Sequence, residues 1–223
     1  MNEVERHVAG VAAHFSSEQE VAAMAERIPR GLNTWETAVV SRFFGTRGKL
    51  LDIGCGTGRE AFALHDLGFE VTGIDISEGQ LAEARNVAAA SGRYVTFALC
   101  DGLTLDFPDL SFDYVVIWSQ AMGNVPDQSS RIGLLQECKR VLRPGGLLSF
   151  SGHSLEHCAA NHVDCVDGAD FYPFGRQSCK WHLFTLQEFR GLCAQAGLCA
   201  IECCDSVSLG WDQVVLVCVC KLL

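Results

Sequence analysis

Leu50-Leu51-Asp52-Ile53-Gly54-Cys55-Gly56-Thr57-Gly58 is the stretch on which the fold of this chain turns. Its apolar residues predict a short buried strand. Its three alternating glycines predict a sharp turn, because a missing Cβ frees the backbone to take positive φ and lets a ligand come close. Helical periodicity follows from Arg59 to about residue 67, so the stretch reads as strand, glycine turn and helix N-terminus, the entry to a βα unit.

Working outward, the same alternation repeats. Apolar runs at 49–53, 70–75, 95–100, 114–118 and 147–151 predict strands, and amphipathic stretches at 59–67, 78–90 and 130–142 predict the helices between them. Ser77 is placed to cap the second helix, and Arg143-Pro144-Gly145-Gly146 is expected to stop the third. A helix at 186–196, capped by Thr185 with Glu188 three positions on, precedes strands near 198–204 and 214–220 that are close enough to pair antiparallel. The fold class is therefore α/β, a mostly parallel sheet with flanking helices and an antiparallel end.

Residues 1–45 read as a helical leader broken at Pro29-Arg30-Gly31. Residues 152–184, rich in His, Cys, Asp and aromatics, read as a lid over the ligand site, too long for an ordinary connection. A chain of 223 residues that is 48% hydrophobic suits one core, so a single domain is expected: leader 1–45, ligand-binding core 46–151, lid 152–184, and C-terminal helix and strands 185–223.

The formal net charge of −10 opposes binding to a phosphate backbone, so nucleic acid is not an expected partner. With no apolar run of about 20 residues and no signal-like start, the expectation is a cytoplasmic protein without a membrane partner, as monomer or homodimer. The twelve cysteines are expected to be reduced thiols. Cys218 and Cys220 share a strand face opposite Cys203 or Cys204 and receive no function, since packed thiols explain the pattern.

The ligand can be narrowed from three residues. A nicotinamide fingerprint, G-x-G-x-x-G, would need glycine where Arg59 stands. Asp75, about 20 residues past the glycines at a strand end, suits the two hydroxyls of a ribose. Asp52 sets a carboxylate before the turn, which suits a cationic amino-acid moiety better than a pyrophosphate.

Together with Gly73-Ile74-Asp75-Ile76-Ser77, Cys100-Asp101-Gly102 and Val141-Leu142-Arg143-Pro144-Gly145-Gly146, the glycine stretch resembles the ordered motifs of class I, Rossmann-like S-adenosyl-L-methionine-dependent methyltransferases. The resemblance implies a seven-stranded sheet with an antiparallel last strand. It implies that Gly54, Cys55, Gly56 and Gly58 cradle the methionine part with Asp52, and that Asp75 holds the ribose. Ile76, Asp101 and Gly102 would meet the adenine, while Trp118, Ser119 and Gln120 would line the cleft, core packing being the alternative for Trp118.

Methyl transfer from a sulfonium is an in-line displacement governed mainly by proximity, so a dedicated catalytic residue is not required. If the acceptor must lose a proton, His153 is best placed as general base, a solvated loop histidine being the competing reading. In the lid, Phe171, Tyr172, Phe174, Trp181 and Phe184 are expected to wall a substrate pocket, with Gln120, Tyr172 and Trp181 as substrate contacts. The alternative is a soft-metal or metalloid site, for instance for arsenite, built from Cys158, His162, Cys165, Cys179 and His182. No C-x-x-C supports that alternative.

The functional expectation is transfer of a methyl group to a small molecule, with N, O, S or As open as acceptor atom. Methylation of protein or RNA is opposed by the acidic charge and the enclosed site. A non-catalytic cofactor-binding partner subunit is opposed by the intact Asp52, glycines and Asp75.

Overall fold

The computed structural model describes residues 1–172, 180–211 and 214–222. A seven-stranded sheet forms its centre. Its strands are β1 (Lys49–Ile53), β2 (Glu70–Asp75), β3 (Thr96–Leu99), β4 (Phe112–Ile117), β5 (Leu142–His153), β9 (Leu198–Asp205) and β10 (Val215–Leu222), in the spatial order β3-β2-β1-β4-β5-β10-β9. The first five run parallel, and β10 is antiparallel to both β5 and β9.

Strand alternation sorts the apolar side chains onto two cores. On one face Leu51, Val115, Ile117, Leu216 and Cys218 pack under α6 (Gln128–Val141) and α8 (Leu186–Ala196). On the other, Leu50, Tyr114, Val116, Val215 and Val217 pack under α3 (Thr34–Phe43), α4 (Arg59–Asp66) and α5 (Glu78–Ser91).

Caps were readable in advance. Ser77 accepts from the Gln80 N–H at the start of α5, and Thr185 from the Glu188 N–H at the start of α8. The third helix stops as expected just before Arg143-Pro144-Gly145-Gly146, with α6 ending at Val141, but β5 begins at once with Leu142 rather than at 147. The tetrad is a bulged strand entry, with a register shift opposite Phe112 to Tyr114 and Gly145 at φ +82°. Proline is tolerated there because the ladder is already interrupted.

The leader divides in two. Its α3 is part of the core, with Trp35 fully buried, whereas α1 (Glu3–Phe15) and α2 (Glu18–Ala25) lie over the strand ends. Between β5 and α8 the chain forms α7 (Leu155–Asn161) and a small antiparallel sheet of β6 (Val166–Asp167), β7 (Asp170–Phe171) and β8 (Trp181–His182). No helix among the described residues is long and apolar enough to cross a membrane.

Candidate functional site

The site forms where the parallel strands end, the usual place for a ligand in such sheets. Gly54, Gly56 and Gly58 take φ of +75°, +52° and +91°. A Cβ on Gly54 would lie 2.8 Å from the Ala121 side chain, and one on Gly58 would meet the Phe62 and Phe97 rings. The Gly56 N–H donates to Asp75 Oδ2 at 2.8 Å and the Ser77 N–H to Oδ1 at 2.9 Å, which fastens the turn to the end of β2. Burial pushes the Asp75 carboxyl upward, opposed by these backbone donors.

Behind the turn lies a buried cluster of charge. Arg59, first residue of α4, donates Nη1 to Glu36 Oε2 at 2.8 Å and Nη2 to Glu36 Oε1 at 2.7 Å, a bidentate pair. Arg59 also donates to Glu60 and to the Gly31 carbonyl, and the Ser119 hydroxyl donates to Glu60. Asp52 is buried with Oδ2 lacking a hydrogen-bond partner. Burial holds its carboxyl well above the usual range, and Glu60 pushes the same way against Arg59.

Three buried carboxyls share one guanidinium, and the raised Asp52 carboxyl reports the missing counter-charge. A ligand bearing a cation fits such a site, and a pyrophosphate does not. Ser119 and Gln120 follow β4 at φ +49° and +60°, strained values for residues with side chains, of the kind that concentrates at ligand sites.

These elements border one continuous cleft. Its first part is apolar, between Ile53, Ile76, Ile117 and Leu134 on the strand side and Val8, Val11 and Phe15 of α1 with Met24 of α2; Gly54, Gly56, Asp75, Gly102 and Ser119 open onto it. It continues past Phe15 and Met24 into a more polar part bordered by Arg27, Arg30, Glu60, Gln120, His153, Trp181 and Trp211. Three polar contacts pin the leader: His7 Nε2 to the Asn124 carbonyl, Ser16 Oγ with Ser77 Oγ, and Gln80 Nε2 to the Phe15 carbonyl, at 2.8 to 2.9 Å.

The structure brings together Gly54, Cys55, Gly56, Asp75, Ile76, Gly102, Ser119, Gln120, His153 and Trp181. It sends other expected contacts elsewhere. Trp118 is a correction: it is buried against Trp35, centroids 5.5 Å apart, and its Nε1 donates to Ser149 Oγ. Gly58 acts as the left-handed N-cap of α4, without opening onto the cleft. Asp101 is exposed, with Oδ1 accepting from the Leu103 and Thr104 N–H groups and Oδ2 from the Thr104 hydroxyl. Phe184 packs in the core with Phe189, and the Tyr172 N–H donates to the Cys165 carbonyl away from the cleft. His153 stacks on Trp181 at 4.9 Å, and burial pulls its imidazole down to about 4, with His157 and His162 adding to the effect.

The metal alternative loses its geometry. His182 bonds Glu188 at 2.7 Å, and Cys158, His162, Cys165 and His182 form no convergent ligand group among the described residues; Phe174 and Cys179 lie outside them. Sequence reading missed Val8, Val11, Phe15, Met24, Glu36, Arg59 and Glu60. One signal was present: Asn33 with Glu36 three positions on is a capping box, and it fixes Glu36 at the start of α3.

Residues 50–146 match the family model of a methyltransferase domain. Methyltransferase GfsG of Streptomyces halstedii is 33% identical over 161 residues, 70% of this chain and 55% of that protein. The ubiquinone biosynthesis O-methyltransferase of Idiomarina loihiensis is 38% identical over 104 residues, 46% and 41% of the two chains. The chain thus spans about half the length of the curated relatives it matches. The structure of Burkholderia thailandensis 1,6-didemethyltoxoflavin-N1-methyltransferase, with 1,6-didemethyltoxoflavin and S-adenosylhomocysteine, superposes with TM-score 0.74 over 100% of this chain and 91% of that one, at 18% identity, a likeness of fold.

Proposed function

We propose that this chain, whose residues 50–146 belong to the class I, Rossmann-like S-adenosylmethionine-dependent methyltransferases, binds S-adenosyl-L-methionine in the cleft and methylates a small molecule. The observation that carries the reading is the glycine turn fastened to Asp75 on a cleft with an apolar first half, with Glu60 on its polar wall and Asp52 buried behind the turn without lining the cleft. Bound there, S-adenosyl-L-methionine supplies an activated methyl group on a sulfonium. The Gly54 to Gly56 backbone, with Asp52 behind it, would hold the methionine end, Asp75 the ribose, and Ile76 and Gly102 the adenine.

The chain's own part in the reaction is placement and exclusion of water. Val8, Val11, Phe15 and Met24 close the cleft, and Gln120, Trp181 and Trp211 border the space left for an acceptor. His153 borders that space as a neutral imidazole that burial makes a weak base, so its part there is to hydrogen-bond the acceptor rather than to take its proton. Relatives named for ubiquinone biosynthesis and didemethyltoxoflavin support a small acceptor, and the net charge of −10 supports one that is not nucleic acid.

The test is calorimetry with S-adenosylhomocysteine, followed by transfer of labelled methyl from S-adenosylmethionine to quinols, phenols and heteroaromatic amines. Saturable binding with turnover on one of these is the expected result. Binding without turnover on any acceptor would favour the partner-subunit reading, and no binding would overturn the proposal.

A further inference from the structure

Away from the cleft, α8 and β10 bring together three cysteines that the methyltransferase reading leaves unused. The Sγ atoms of Cys193, Cys218 and Cys220 form a triangle with edges of 3.7, 3.5 and 3.1 Å, and all three residues are at most 1% exposed. Cys218 and Cys220 share a face of β10 because they lie two residues apart, and Cys193 reaches them from the overlying helix. Cys203 stands opposite Cys218 on β9, with its thiol in contact with that of Cys218 and donating to the Leu186 carbonyl, outside the group in which the three sulfurs all meet. None of the three borders the cleft.

We propose that Cys193, Cys218 and Cys220 form a binding site for a trivalent thiophilic metalloid ion of the arsenic(III) or antimony(III) class. Two arguments select that class. The first is geometric. With metal–sulfur bonds of about 2.3 Å, the observed edges correspond to S–M–S angles of roughly 85° to 107°, whereas a planar three-thiolate ion would need edges of about 4.0 Å and a regular tetrahedral one about 3.8 Å, longer than all three. A pyramidal centre, with a lone pair at its apex, takes the observed triangle.

The second argument is charge. Three thiolates around a monovalent or divalent ion leave net negative charge in an apolar core, a costly arrangement. A trivalent ion leaves none. The loading step is an exchange: three As–O bonds of arsenous acid break, three As–S bonds form, and each thiol proton leaves on a hydroxyl as water, three waters in all. No electron is transferred.

The experiment uses the reduced full chain, offered arsenite both in the native state and during refolding from urea, then desalted. Arsenic per chain is measured by mass spectrometry, and its neighbours by X-ray absorption. One arsenic with three sulfur neighbours, and at least a tenfold loss of retention in Cys220→Val, is the expected result. Circular dichroism checks that the variant folds, and Cys193→Ala replaces it if it does not. The coordination number, read on the unaltered chain, stands in either case. No retained arsenic, fewer than three sulfurs, retention unchanged in the variant, or displacement by equimolar zinc would each overturn the proposal.

Discussion

Asp75 serves three partners at once, the Gly56 and Ser77 N–H groups and, in the proposed complex, a ribose. Asp75→Ala is therefore expected to weaken S-adenosylhomocysteine binding by about 1.5 to 3 kcal/mol in calorimetry. Unchanged affinity would refute the assignment. His153 sets a second expectation. Its folded pKa, about 4, lies below the ordinary 6.5, so on acidification the unfolded chain takes up the proton first. Its contribution is present above pH 6.5 and is lost as the pH falls from 6.5 towards 4. Urea midpoints of His153→Phe should therefore fall less steeply than those of the parent over that interval. Parallel slopes would show that the imidazole is not held neutral.

At the scale of the element, α4 begins with a residue that neutralises two others. Arg59 is the cation that Glu36 and Glu60 share, and all three are buried. Removing it strands two carboxylates, so Arg59→Met should cost about 3 to 5 kcal/mol in denaturant unfolding. Adding Glu36→Gln to that variant should restore part of the loss, and a double-mutant cycle showing no recovery would contradict the coupling. The positions of α4, α5 and α8 were legible in hydrophobic period and caps, because those signals are local. The entry to β5 was not: proline and glycine punctuate turns and bulges alike, and only the neighbouring strand distinguishes them.

At the scale of the whole molecule, the leader makes a surface groove into an enclosed cleft. Where the two meet, a Cβ on Gly79 of α5 would lie 3.1 Å from the Ser16 carbonyl and 3.4 Å from Val21. Gly79→Val is thus expected to lift α1 and α2 and weaken S-adenosylhomocysteine binding about tenfold, some 1.4 kcal/mol. The unfolding midpoint should move little, because the sheet and α3 are untouched. Native affinity in this variant would mean that the leader does not close the site.

The order of strands and helices, the glycine turn and its acidic partners were set by residues close together in sequence, through period, capping and the freedom of glycine. Arg59 beside Glu36, Trp118 turned into the core beside Trp35, the leader helices over Ile76 and the triangle of Cys193, Cys218 and Cys220 all join residues far apart in the chain or on different elements. Each depends on which faces meet once the sheet has formed. An amphipathic pattern shows that a face will be buried, but it carries no record of what lies on the other side.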